Sequence, residues 1–244
     1  MVIARIKAVA LIIDFISDKL DVNYLYNVLM NKIYIGLLFC LMLGGCTTIP
    51  SQPTMITPAV SVTPTAAFET IPLPSNCNLA PIVVPTLPAV IPGFNELDKT
   101  TNLHVTGGYR VINVADYRLK ITGLVDHPIS LTYDNLRCMT KISASPLLVC
   151  PGVFEDQATW SGVPIKDVLS LAGVQVNAKN LLLISADGYK YPISISEALV
   201  GNNFLAYEVN GQTLPILHGF PLRAVFLNKY GSSWIKWLIE INVQ

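Results

Sequence analysis

Pro146-Leu-Leu-Val-Cys150-Pro-Gly-Val-Phe-Glu155-Asp156-Gln-Ala-Thr-Trp160-Ser-Gly-Val-Pro164 joins a short apolar run, a Pro-Gly turn and a second apolar run that ends at proline. Short apolar runs bounded by turn residues read as strands. The thiol of Cys150 closes the first run and is expected to project from a sheet edge into whatever cleft lies there. The chain continues as Pro164-Ile-Lys-Asp-Val-Leu-Ser-Leu-Ala-Gly173, with Ile165, Val168, Leu169 and Ala172 on one helical face. Proline opens that helix and glycine closes it.

Further elements follow on both sides. Tyr117-Arg-Leu-Lys-Ile-Thr-Gly123 alternates apolar and polar residues, as a half-buried strand does. Asn180-Leu-Leu-Leu-Ile-Ser-Ala186 reads as a buried strand turning at Asp187-Gly188, and Ser194-Ile-Ser-Glu197 has capping-box spacing before a short helix. Phe204 to Val209, Asn210-Gly211 and Gln-Thr-Leu-Pro215 form a hairpin signal, because Asn-Gly suits a type I′ turn. From Ile235 to Val243 a last strand is expected to present Ile235, Trp237, Ile239, Ile241 and Val243 on one face. The sum is an α+β domain, mixed and strand-rich, covering residues 104–244 as a single globular unit. About 140 residues suffice for one core.

The 244 residues carry 16 basic and 16 acidic side chains. That balance gives no expectation of a nucleic-acid partner. Mean hydropathy is high, +0.50, and much of the excess lies at the N-terminus. Met30-Asn-Lys32 precedes the apolar run Ile33 to Leu43 and then Gly44-Gly45-Cys46. A basic start, an apolar run and small residues before a cleavage point are the parts of a secretory signal. Leu43-Gly-Gly-Cys46 also resembles the bacterial lipobox, in which the cysteine is lipidated; the alternative is a short membrane anchor that contains a cysteine. Two acyl chains on Cys46 would anchor stably. Residues 30–45 are thus expected to be a lipoprotein signal peptide, and 1–29 a mis-assigned upstream extension or an amphipathic leader. Residues 46–103, rich in proline and threonine, read as a tether whose more apolar second half lies on the domain surface. The expected location is extracytoplasmic, with the membrane reached through the lipid on Cys46.

The cysteines are Cys40, Cys46, Cys77, Cys138 and Cys150. A Cys77–Cys138 disulfide would leave Cys150 free, although nothing in the sequence requires it. There is no CxxC or HExxH, so no zinc site is expected. On residue type alone, Cys150 reads as a buried structural thiol.

The Cys150 segment, Ser185-Ala-Asp-Gly188, Leu205-Ala-Tyr-Glu-Val-Asn-Gly211, His218-Gly-Phe-Pro-Leu-Arg223 and Tyr230-Gly-Ser-Ser-Trp-Ile-Lys236-Trp237 follow one another in a specific order. Together they resemble the molybdopterin-binding domain of the sulfite oxidase family. The resemblance implies that family's fold and a molybdenum-molybdopterin cofactor doing two-electron oxygen-atom transfer. It further implies that Cys150 is the catalytic metal ligand, and that Arg223 and Lys236 contact the cofactor's phosphate end with His218 near the pterin. Guanidinium and ammonium suit a phosphate physically. The alternatives are an arginine paired to a carboxylate, a lysine on a solvated strand face and a turn histidine satisfied by backbone. Tyr189 and Tyr191 are candidate cleft donors if the Asp187-Gly188 turn faces the site.

Four departures from the family qualify that implication. Apolar and then acidic residues follow Cys150 where sulfite oxidases carry arginines, and Glu155 and Asp156 beside a metal would repel sulfite. Ser232-Ser233 replaces a lysine that contacts phosphate. No haem or flavin domain is expected, so electrons would pass to or from a separate electron-transfer protein while a small-molecule substrate is turned over. No Arg-Arg pair precedes Cys46, whereas loaded relatives are exported folded through a twin-arginine signal. The competing reading is a cofactor-free binding or scaffold lipoprotein that retains the fold; a solute-capture lipoprotein is a third.

Overall fold

The computed structural model describes residues 68–244. The expected upstream extension (1–29), the expected signal (30–45), the expected lipidation site Cys46 and the first part of the expected tether lie outside the described residues.

Six strands form the larger sheet in the order β1 (Glu69–Thr70), β5 (Ile129–Leu131), β4 (Leu119–Gly123), β15 (Leu238–Val243), β10 (Asn180–Ser185) and β11 (Lys190–Ser194). β15 runs parallel to β4 and β1 parallel to β5, whereas the other neighbours are antiparallel. The expected alternation holds in β4, where Leu119 and Ile121 are fully buried and Lys120 is exposed. The smaller sheet has the order β13 (Gln212–Thr213), β12 (Phe204–Val209), β9 (Trp160–Pro164) and β6 (Ile142–Ala144), and β14 (Arg223–Val225) pairs with β12. Two further hairpins stand apart, β2 (Leu97–Asp98) with β3 (Leu103–His104), and β7 (Leu147–Cys150) with β8 (Phe154–Gln157). Cys150 therefore ends one arm of a hairpin, with Phe154 as its cross-strand partner, rather than the edge of a larger sheet.

Short helices connect these strands. α1 (Tyr133–Cys138) starts at a Thr132–Asn135 capping box, and α3 (Ile195–Leu199) at the expected Ser194–Glu197 box. α2 (Ile165–Ala172) buries Ile165, Val168, Leu169 and Ala172 and ends at Gly173, φ 67°. In the β12–β13 turn Asn210 and Gly211 both have positive φ, 50° and 74°, the backbone a type I′ turn requires. Trp160, Trp234, Trp237, Phe204, Phe220 and Phe226 are the largest fully buried side chains.

Two expectations need correction. The last strand begins at Leu238, not Ile235, because Trp237 has φ 50°. That left-handed residue turns the chain, so Ile235 and Trp237 are buried outside the strand while Leu238, Ile241 and Val243 fill its inner positions. A tryptophan is held there by its surroundings: its indole N–H donates to the Ile216 carbonyl at 2.9 Å and its backbone N–H to Gly219 O at 3.3 Å. The second correction concerns residues 68–103, which the sequence assigns to the tether but which belong to the folded body. β1 adds to the sheet, Cys77 is disulfide-bonded to Cys138 at the end of α1, and Asn135 and Arg137 donate to the Ile71 and Ala80 carbonyls. Proline removes donors and breaks periodicity, yet the remaining backbone groups still find partners in side chains and short ladders.

Gly162 lies in the middle of β9, and a Cβ there would overlap the backbone carbonyl of Leu205 in the neighbouring β12. Gly162→Ala is therefore expected to destabilise the domain by about 3 kcal/mol or more. Gly108→Ala, where no atom lies within 4 Å, should leave the urea midpoint unchanged. Equal midpoints for the two variants would contradict the strand packing described.

Candidate functional site

β14 begins at Arg223, which brings a guanidinium into the interior between two indoles. Its Cζ lies 4.9 Å from the Trp160 ring centroid and 5.7 Å from that of Trp234. Nη1 donates to the His218 carbonyl at 3.3 Å, and the buried Nε has no partner among the described residues. Among the described residues no carboxylate forms a salt bridge with it, so the alternative of an Arg–carboxylate bridge finds no partner there. Burial pushes the guanidinium down to about 10, against the opposing pull of Cys150 and Asp156. A buried cation lacking an anion is costly, and cation–π contact offsets roughly 2 kcal/mol of that cost at most.

Arg223 lines a cavity of about 280 Å³ together with Lys236, Tyr189 and Gly231-Ser232. Lys236 follows Ile235 in the segment that the Trp237 turn folds inward. Its ammonium donates to the Thr106 carbonyl and, at 3.2 Å, to Leu217 O, and it lies 4.5 Å from the Trp237 ring centroid. It is therefore not on a solvated strand face. Burial, reinforced by Arg223, lowers Lys236 to about 7. Two cations thus converge on one cavity whose lining also holds Asp187, which acts on Lys236 as Asp156 acts on Arg223; neither cation forms a salt bridge among the described residues, an arrangement suited to a phosphate or another dianion.

Cys150 approaches the same cavity from the β7–β8 hairpin as a free, half-buried thiol. A Cβ built on Gly231, a lining residue, would come within 2.7 Å of its Sγ. Only a glycine at 231 leaves the thiol its place. Burial raises the Cys150 thiol; Arg223 draws it down and Asp156 raises it further. Cys150 is not itself a lining residue; its thiol sits against Gly231, which is.

His218 is placed differently from the expectation that it sits near a pterin. It is 2% exposed, and its Nε2 lies 3.0 Å from both Asp98 Oδ2 and Thr101 Oγ1. Burial lowers the imidazole to about 4, with Arg223 acting in the same direction and Asp98 against it. It is a neutral ring that donates to the Asp98 carboxylate, while its backbone carbonyl accepts from Arg223. The acidic pair also needs correction. Glu155 is exposed, and buried Asp156 binds His104 twice, accepting the backbone N–H at 2.7 Å and contacting Nδ1 at 2.6 Å. Because Asp156 is engaged by His104, the pair is not two free negative charges facing the cavity. The Asp187-Gly188 turn does face it: Tyr189 lines the cavity and donates to Ser232 O at 3.1 Å, whereas Tyr191 lines a neighbouring groove.

Asp98, Thr101 and His104 were not legible as site residues because proline-rich sequence surrounds them. The Asp98-Lys-Thr-Thr-Asn102 turn signal was the available clue, since aspartate and threonine side chains fold back on the backbone. Asp98 Oδ1 does accept Thr100 N–H, at 2.9 Å.

Lys236 carries a pH dependence. Its folded value of about 7 lies below the ordinary 10.5. Above pH 7 the unfolded chain therefore holds more protons, so this residue makes stability rise with pH. Cys150, shifted upward, acts in the opposite sense once the unfolded thiol ionises near its ordinary 9.0. Between pH 7 and 8 the cofactor-free chain should gain stability, and Lys236→Met should flatten that gain. An unchanged slope in the variant would contradict the buried placement of Lys236.

Residues 106–244 match the family described as the oxidoreductase molybdopterin binding domain. An uncharacterized oxidoreductase of Bacillus subtilis, YuiH, is 30% identical over 147 residues, 56% of this chain and 74% of that protein. Sulfite oxidase of Arabidopsis thaliana is 31% identical over 54% of this chain and 43% of its own length. In fold, the chain resembles the sulfane dehydrogenase SoxCD of Paracoccus pantotrophus, with a TM-score of 0.54 at 24% identity over 57% of this chain and 41% of that one. The strand-rich fold matches as well as the sequence, and the chain belongs to the sulfite-oxidase-type molybdopterin-binding domain family.

Proposed function

We propose that this protein is a molybdopterin-dependent oxidoreductase that carries out two-electron oxygen-atom transfer on a small, neutral substrate. The observation that carries the reading is the buried Arg223 guanidinium, whose Nε has no partner, facing the cavity that it shares with Lys236. These residues fit the cofactor of the family: two cations without a salt-bridge partner among the described residues for its phosphate end, and a free thiol against Gly231 for its metal. When bound, the molybdenum centre would supply the redox chemistry, and the protein supplies position and field. Arg223 and Lys236 would hold the anionic end, Gly231 leaves room for the sulfur, and Cys150 would ligate the metal. Tyr189 is a hydroxyl on the cavity wall able to orient a polar group. A neutral substrate such as a sulfoxide suits a site whose two cations are committed to phosphate, leaving none for an oxyanion such as sulfite.

The same reading places the domain outside the cytoplasm, tethered through lipidated Cys46, and exchanging electrons with a separate carrier protein. The signal-like stretch Met30 to Cys46 supports the location. The second reading, a cofactor-free scaffold, draws on Ser232-Ser233. Ser233 Oγ donates to Tyr230 O at 2.7 Å, and no third cation takes the place of the missing lysine.

The test is a pair of variants. Cys150→Ser should lose bound metal while its circular dichroism stays that of the unaltered chain and its thermal midpoint that of the cofactor-free unaltered chain; molybdenum retained in that variant would refute the ligand role. Arg223→Met should weaken cofactor retention. The same change should alter the stability of the cofactor-free chain by less than about 1 kcal/mol, because it removes an unpaired buried charge along with its cation–π contacts. Collapse of that variant would mark Arg223 as structural.

A further inference from the structure

Three ties run from one short stretch of chain to the three separate segments that carry the site. The stretch is the β2–β3 hairpin and its continuation to Thr106. Asp98 Oδ2 lies 3.0 Å from His218 Nε2, inside the short 3-10 turn Ile216–His218, whose carbonyls in turn accept from Arg223 and Lys236. His104 grips Asp156 through its ring and its backbone N–H, and stacks on Phe154 at 4.6 Å with an interplanar angle of 14°. Phe154 and Asp156 are both in β8, and Phe154 is the cross-strand partner of Cys150. The Thr106 carbonyl accepts the Lys236 ammonium. Asp98 and His104 lie upstream of residues 106–244 that match the family.

We propose that the Leu97–Thr106 segment is a clasp that positions the cofactor site, with Asp98 acting through His218 and His104 acting through Asp156. This inference rests on the reading above that the cavity takes a molybdopterin. Neither residue lines that cavity, so both are positioning residues. Asp98 holds His218, whose carbonyl accepts from Arg223, and His104 holds β8 through Asp156 and through Phe154, the strand partner of Cys150. Arg223 has a single carbonyl to locate it, and that carbonyl belongs to His218. If Asp98 is lost, the His218 ring has only Thr101 within reach, and the turn that offers carbonyls to both cations loses its buried anchor. If His104 is lost, Asp156 is left as a buried carboxylate without its ring partner, beside the hairpin arm that carries the thiol.

The alternative is that the clasp contributes stability and nothing else. Three full-length variants separate the two: Asp98→Ala, His104→Gln, and a control, Cys77→Ser with Cys138→Ser, which removes the staple at the other end of the N-terminal segment without touching these ties. Metal and pterin retained per chain after exhaustive dialysis give the release rate, and the thermal midpoint gives the stability. Residues that support ligands commonly change affinity by roughly 10–100-fold. The clasp variants should release cofactor faster by a factor in that range, while the control is destabilised but releases at the unaltered rate. Release at the unaltered rate from Asp98→Ala and His104→Gln would overturn the proposal. So would release from all three variants in simple proportion to lost midpoint.

If the unaltered chain holds no molybdopterin, the reading above fails, and the clasp is judged by hydrogen exchange on that same chain. Asp98→Ala should then raise exchange selectively in residues 216–223 and 236–237, and His104→Gln in 150–156. Exchange that is unchanged there, or raised evenly over the domain, would overturn the clasp by itself.

Discussion

A guanidinium buried between two tryptophans, with no salt-bridge partner among the described residues, is the constraint around which this domain is arranged. Transfer of such a charge from water costs several kcal/mol even after relaxation. The protein answers with the faces of Trp160 and Trp234 and one carbonyl, from His218. Lys236, held by two carbonyls and the Trp237 ring, faces the same cavity and is lowered to about 7. A single dianion would satisfy both cations, whereas among the described residues only Asp187 brings a carboxylate to the cavity wall, and it pairs with neither. Bringing such charges together is the opposite of what stability alone would select, which makes the cavity the candidate ligand site of the domain.

The two sheets serve this arrangement. β14 delivers Arg223 next to β12, and β9, on the other side of β12, delivers Trp160. The left-handed backbone at Trp237 ends the excursion 231–236 and returns the chain to β15, so Trp234 and Lys236 are folded inward instead of continuing the strand. The β7–β8 hairpin brings the Cys150 thiol against Gly231 from the other side. The pieces come from two stretches of the chain, 147–164 and 223–237, some sixty residues apart. They are held relative to one another by the buried tryptophans and by the Asp98–His218 and His104–Asp156 contacts.

Local patterns were readable where the chemistry is local. The α2 face, its Pro164 and Gly173 boundaries, the Ser194–Glu197 box and the Asn210-Gly211 turn all lie where their spacing puts them, since each depends on neighbours within four residues. The order of the motifs carried the family and, with it, the fold. What escaped was long-range. Asp98 and His104 take meaning only from partners 120 and 52 residues away, and the prolines around them read as a tether. Asp156 was legible as an acidic residue beside Cys150, but not as one already engaged by a histidine. The start of β15 was misplaced because alternation of Ile235, Trp237 and Ile239 mimics a strand, and no sequence rule anticipates positive φ at a tryptophan. Cys77 and Cys138, 61 residues apart, could be paired only once the first was seen to lie on the domain.

Whether the two cations and the thiol hold a molybdenum cofactor is decided by elemental analysis of molybdenum and tungsten per polypeptide, on protein isolated from its native cells. A metal content close to one per chain is the expected result. Absence of both metals, in cells whose other molybdoenzymes are loaded, would contradict the assignment and leave Arg223 and Lys236 facing some other anion.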